Sequence, residues 1–299
     1  MKVLVTGTSG QLGFDVMEEL KKRGYIGVGA DRSESDADFE HVTLDITDKK
    51  RVMEVVNDMK PDVIVHCAAW TNVDGAEDPN KLELVRAVNV DGTRNLAEAA
   101  KNVDAKFVYI STDYVFDGQG ERPWEPDDKN YAPLNVYGQS KLDGELAVAE
   151  TLDKYFIVRI AWVFGRNGKN FIKTMIEVGK NHDVVRVVDD QIGTPTYTVD
   201  LARLLVDMIE TDKYGYYHAT NEGGYISWAD FAEEIYKQAG MNVKAERVTT
   251  AEYEEMAGKA VAKRPFNSRL DKSKLVENGF EPLPDWKDAV GRFLAILKD

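Results

Sequence analysis

Cys67 is the sole cysteine among 299 residues, which excludes an internal disulfide and a cysteine-based metal site. Set in Val63-Ile64-Val65-His66-Cys67-Ala68-Ala69, it reads as a buried strand thiol rather than a nucleophile. Histidine is almost as scarce. His41, His66, His182 and His218 show neither HxH nor HxxxH spacing, so no metal is expected. Positive charge is in deficit, 38 Lys and Arg against 52 Asp and Glu, a net charge of −14. Nucleic-acid binding relies on clustered cations, and such a partner is not expected. No run approaches the roughly 18 consecutive apolar residues that span a membrane. Met1-Lys2 passes directly into Val3-Leu4-Val5, without the charged leader and long apolar stretch of an export signal. The expectation is a cytoplasmic protein with no membrane partner. Linkers rich in Pro, Gly or Ser, low-complexity tracts and internal repeats are missing too.

What is present is a 43% hydrophobic composition, ample for a core, arranged in alternating strand and helix patterns. Lys2 to Thr6 is an apolar, β-branched run, followed by Gly7-Thr8-Ser9-Gly10-Gln11-Leu12-Gly13 and an amphipathic stretch from Phe14 to Arg23. Gly24 reads as a left-handed cap, and a second strand from Tyr25 to Ala30 ends at Asp31. The alternation continues through a helix at Asp48 to Met59, a strand at Asp62 to Val65, one long helix at Asn80 to Asn102, and a strand at Lys106 to Ile110. A helix at Tyr137 to Thr151 and a strand at Phe156 to Ile160 complete it. The pattern predicts an α/β protein, a Rossmann-type doubly wound parallel sheet over residues 1–165.

After Ala161 the regularity falls. Helices are expected at Asn170 to Lys180, Val199 to Glu210, Trp228 to Ala239 and Trp286 to Lys298, with strands at Val184 to Val188, Tyr214 to Ala219 and Lys244 to Val248. These mixed elements suit a smaller α/β substrate lobe over residues 166–299, packed closely on the first domain and free to receive segments from it or return segments to it.

In an open parallel sheet the ligand lies beyond the carboxyl ends of the strands. Gly7, Gly10 and Gly13 stand at a strand-to-helix turn, where glycines let backbone N–H groups approach a dinucleotide pyrophosphate, and Asp31 follows at the distance that suits the adenosine ribose. The strand after residue 62 ends in Ala68-Ala69-Trp70-Thr71, small enough to admit a nicotinamide ribose, and the next ends in Ser111-Thr112-Asp113. Tyr137 and Lys141 are four apart on one helix face. A neighbouring ammonium is expected to lower the phenol pKa and make Tyr137 a proton donor, with Thr112 polarising a carbonyl and Lys141 bonding the nicotinamide ribose. Taken together these residues describe hydride transfer at a carbonyl.

The glycine turn, Ser111-Thr112-Asp113-Tyr114-Val115-Phe116-Asp117-Gly118, Tyr137-Gly138-Gln139-Ser140-Lys141-Leu142-Asp143-Gly144-Glu145, Arg159-Ile160-Ala161-Trp162-Val163-Phe164-Gly165, Asp190-Gln191-Ile192-Gly193-Thr194-Pro195-Thr196 and Arg264-Pro265 resemble the extended short-chain dehydrogenase/reductases, and within them the dTDP-4-dehydrorhamnose reductases. The resemblance implies a catalytic triad of Thr112, Tyr137 and Lys141. It implies cofactor contacts from Gly10, Gln11, Leu12, Asp31, Asp45, Ile46, Ala69, Trp70 and Thr71, and sugar-nucleotide contacts from Thr112, Asp113, Trp162 and Arg264. The implied reaction reduces the 4-keto group of dTDP-4-dehydro-β-L-rhamnose. Tyr114, where related dehydratases carry an acid, argues against dehydration. Two alternatives stay open: a reductase or epimerase of another sugar nucleotide, and a non-catalytic NADP-binding subunit such as the regulatory β subunit of methionine adenosyltransferase. The Asp31-Arg32-Ser33 run predicts use of both NADH and NADPH. Some relatives dimerise through Mg²⁺ held near the first helix; Asp15 lies there but is read as favouring the helix N-terminus, without metal. A homodimer is compatible with the resemblance.

Overall fold

Runs such as Val63–His66 are buried from end to end, which suits a strand only where both faces of its sheet are covered. Six strands, β1 (Lys2–Thr6), β2 (Ile26–Asp31), β3 (Glu40–Thr43), β4 (Val63–His66), β5 (Lys106–Thr112) and β6 (Tyr155–Ile160), form one parallel sheet with a seventh, Gly215–His218, in a computed structural model that describes residues 1–33, 38–258 and 262–297. The order across the sheet is Gly215–His218, β6, β5, β4, β1, β2, β3, so the direction of winding reverses between β1 and β4. The carboxyl ends on either side of that reversal form the crevice where ligands bind.

Alternate strand residues feed two cores. Val3, Val5, Val63, Val65, Val108, Phe156 and Val158 pack against helix α1 (Gln11–Lys22) and the helix Thr198–Ile209. Leu4, Ile64, Phe107, Tyr109 and Ile157 pack on the other face against α2 (Lys49–Met59), α5 (Thr93–Asn102) and α6 (Val136–Thr151). A third core gathers the helices Phe171–Gly179, Trp228–Ala239 and Trp286–Ile296 with the parallel pair Val184–Val188 and Lys244–Val248. The expectation for the terminal helix extended to Lys298, which lies outside the described residues.

Several sequence-based expectations change. Glu40–Thr43 is a strand that the pattern did not announce, because as an edge strand it buries little. The single helix expected from Asn80 to Asn102 is α4 (Leu82–Arg86), a π-helical turn at Ala87–Gly92, then α5, preceded by a short α3 (Val73–Ala76). Strand Gly215–His218 pairs with β6, and helix Thr198–Ile209 packs on α1. The chain after residue 165 therefore returns to the central sheet.

Candidate active site

Gly7 adopts φ +74°, and a Cβ there would lie 2.6 Å from the Ala68 backbone nitrogen. One on Gly13 would lie 2.3 Å from the Gly7 carbonyl oxygen. Only glycine lets β1, β4 and α1 meet this closely. At Gly10, the residue before α1, no described side chain caps the helix and its first turn holds no acid, leaving N–H groups and the positive end of the dipole for a phosphate. The cradle fits a dinucleotide pyrophosphate.

Asp31, at the end of β2, faces this turn: Ser9 donates to it from its backbone N–H (3.1 Å) and its hydroxyl (2.5 Å), and Arg32 N–H donates at 2.8 Å. Gln11 accepts a hydrogen bond from Asn170 Nδ2 at 3.0 Å. Leu12 turns its side chain into the core, so only its backbone is left for a ligand. Asp45 accepts from the Thr47 N–H and hydroxyl, and buried Ile46 accepts from Asn95 through its carbonyl. Asp15 is not a helix-end charge; it is buried and accepts from the Thr198 hydroxyl at 2.5 Å. Burial raises its pKa to about 6.

Beyond β4, the loop Ala69-Trp70-Thr71 is held at Trp70 by a residue that the sequence did not single out. Asn89, in the π-helical turn, accepts from Trp70 N–H at 2.7 Å and donates to the Trp70 carbonyl (3.1 Å) and the Ser140 hydroxyl (2.8 Å). Ser140 in turn donates to the Tyr137 carbonyl at 2.7 Å. A π-turn re-aims side chains within a helix, and here it links the β4 loop to α6.

Asn135 caps α6 through Gly138 N–H at 2.8 Å, so Tyr137 and Lys141 lie in its first two turns. The Tyr137 phenol lies close to the Thr112 hydroxyl, which donates to Asp113 Oδ1 at 3.0 Å. The expectation that Lys141 lowers the phenol pKa is not met. Burial, followed by the Asp113 carboxylate, pushes it up, and the nearby Thr112 hydroxyl opposes this. Lys141 is 4% exposed, with Nζ 4.1 Å from the Tyr109 ring centroid, and burial lowers its own pKa to about 7. Tyr137 is accordingly a well-protonated acid beside a lysine that titrates near neutrality. His66 is buried between the Thr6 and Thr93 hydroxyls, and Cys67 is held to a pKa of about 12 by burial.

Asp113 is 1% exposed. Burial raises its pKa to about 6, against hydrogen bonding by Ser268 and Thr112; among the described residues its Oδ2 has no partner in good hydrogen-bond geometry. Trp162 adopts φ +51°, costly for a bulky residue, and its ring stacks on Trp228 with centroids 3.8 Å apart. Trp228, absent from the expected set, thus completes an aromatic wall. Arg264 donates to Asp74 Oδ2 at 3.0 Å and to the Ala262 carbonyl at 2.9 Å. Among the described residues no cluster of three or more His, Cys, Asp or Glu could hold a metal.

The family model described as RmlD substrate binding domain matches residues 1–298. The dTDP-4-dehydrorhamnose reductase of Aggregatibacter actinomycetemcomitans is 40% identical, over 97% of this chain and 97% of its own length. That of Streptomyces griseus is 41% identical, over 96% and 91%. The crystal structure of dTDP-4-dehydrorhamnose reductase from Bacillus anthracis in complex with NADP is 41% identical, covers 99% of both chains and superposes with a TM-score of 0.89.

Proposed function

From the premise that this chain belongs to the RmlD substrate binding domain family, that of the dTDP-4-dehydrorhamnose reductases, we propose that it reduces the 4-keto group of dTDP-4-dehydro-β-L-rhamnose to dTDP-β-L-rhamnose. NADPH or NADH, when bound, supplies the hydride. The observation that carries the reading is the placement of the Thr112 hydroxyl, at the carboxyl end of β5, beside the Tyr137 phenol and with the buried Lys141 one turn along α6.

Thr112 donates a hydrogen bond to the carbonyl oxygen as negative charge grows there. Tyr137, kept protonated by burial, gives its proton to that oxygen, so ketone, hydride and proton combine to the alcohol. Lys141 bonds the nicotinamide ribose, and in its protonated form offsets the phenolate left behind. Gly7, Gly10 and Gly13 hold the pyrophosphate, with Gln11 and the Leu12 backbone beside it. Asp31, Asp45 and Ile46 line the adenosine side, and Ala69, Trp70 and Thr71 the nicotinamide side. Asp113, Trp162 and Arg264 contact the sugar nucleotide. In this reading the sheet, with its returning segments, binds the cofactor, and the rest of the chain after residue 165 supplies the sugar site. The activated deoxysugar serves polysaccharide synthesis, and the cytoplasm, where nicotinamide cofactors are at hand, is its place of work.

Purified protein incubated with the 4-keto sugar nucleotide should oxidise NADPH, followed by absorbance, and should leave it intact with UDP sugars. No turnover rejects the reading; cofactor binding without it favours a regulatory subunit. Tyr137→Phe is expected to bind NADPH as wild type does but to lose roughly 100-fold or more of kcat. Retention of more than about a tenth contradicts the acid role.

A further inference from the structure

Asp74 and Arg264 are far apart in sequence, yet they form an ion pair close to Tyr114, whose ring meets that of the reacting tyrosine. Asp74 lies on α3, three residues after Thr71. The intervening Asn72 ties this loop together: its side chain accepts from Gly75 N–H at 2.9 Å, and its carbonyl accepts from Trp70 Nε1 at 2.9 Å. Both Asp74 carboxylate oxygens reach one distant segment, Oδ2 accepting from the Arg264 guanidinium (3.0 Å) and Oδ1 from the Ala262 backbone N–H (3.0 Å). That segment runs on as a strap. The Lys263 carbonyl accepts from Asn135 Nδ2, the side chain that caps α6, at 2.7 Å. Phe266 and Ser268 pair with Ile192, and Asn267 N–H donates to Gly118. Arg264 lies close enough to the Tyr114 phenol to interact with it electrostatically, and the Tyr114 ring meets Tyr137 edge-on with centroids 5.7 Å apart.

We propose that Asp74 is a positioning residue for the reduction, fixing Arg264 and the head of the strap beside Tyr137 and so tying the sugar-nucleotide site to the loop that meets the cofactor. This rests on the reading above in which Arg264 contacts the sugar nucleotide. An ionised carboxylate accepts at both oxygens, whereas an amide accepts at one and presents N–H groups at the other. Asp74→Asn therefore keeps volume but cannot satisfy the guanidinium and the Ala262 N–H together. The lost contact is charge-assisted, holds a substrate-binding group, and donates nothing to the reacting atoms.

The test is steady-state kinetics of the full-length protein with NADPH and dTDP-4-dehydrorhamnose. Asp74→Asn is expected to raise KM for the sugar nucleotide about tenfold or more, while kcat stays within about threefold and NADPH affinity within about twofold. Arg264→Gln should also raise KM, and the double variant should exceed the worse single variant by no more than about twofold, because both changes break one contact. Asp74→Glu keeps two acceptors for folding but displaces them by a methylene, so a rise of about threefold or more is expected with an unchanged Tm. A KM within about twofold of wild type in either folded Asp74 variant, or KM effects that multiply in the double variant, overturns the inference. Absence of turnover by wild type instead overturns the functional reading and takes this inference with it.

Discussion

Asp113 shows what the site costs a single residue. Its carboxyl titrates at about 6 in the folded chain against an ordinary 3.8, so between these values the folded state binds more protons than the unfolded one. Stability from this group is present at low pH, falls as pH rises through that window, and stays lost above it. Asp113→Asn is therefore expected to raise stability by about 1–3 kcal/mol at pH 8 and to change it little at pH 3.5, while reduction is lost. Thermal unfolding at the two pH values checks the sign; equal shifts at both would assign the effect to packing instead. The placing of Thr112 at a strand end and of Tyr137 and Lys141 on one helix was legible in the sequence, because local rules set both. Asn89, Asp74 and Trp228 were not: each acts through a partner brought close only by the folded chain. The direction of the phenol pKa was misjudged for a related reason, since spacing shows the neighbouring ammonium but neither the burial nor the Asp113 carboxylate that raise it.

At the level of elements, α6 is anchored as firmly farther along as at its first turn, where Asn135 caps it. Glu145, one turn beyond Lys141, accepts two hydrogen bonds of 2.8 Å from Arg159 of β6, with both side chains fully buried. Arg159 also donates to the Pro126 carbonyl and the Tyr131 hydroxyl. Removing one member of such a pair strands the other charge away from water, so Glu145→Ala is expected to lower unfolding free energy by about 3–5 kcal/mol. Urea denaturation measures it, and a loss below about 1 kcal/mol would show that water reaches Arg159. Continuous apolar runs made β1, β4, β5 and β6 readable in the sequence, and Gly24 and Pro61 marked ends. Glu40–Thr43 went unread because an edge strand needs no apolar pattern. The π-helical turn went unread because side-chain periodicity carries through Asn80 to Asn102 while the backbone hydrogen bonds shift register beneath it.

At the scale of the whole molecule, the strand Gly215–His218 was visible as a strand but its neighbour was not, because pairing with β6 is a long-range choice. Residues 1–165 alone would expose that edge of β6 and the apolar surface of α1 that Thr198–Ile209 covers. Such a fragment is expected to aggregate or remain partly unfolded, whereas residues 1–220 should retain more of the sheet; circular dichroism and sedimentation of the two compare them. A soluble, cooperatively unfolding 1–165 fragment would contradict this. The same arrangement sets a timetable for synthesis. At about 5–20 residues per second, β6 leaves the ribosome roughly 3–11 seconds before its outer partner, and through that interval a buried strand of the finished enzyme offers an open edge to any other nascent chain.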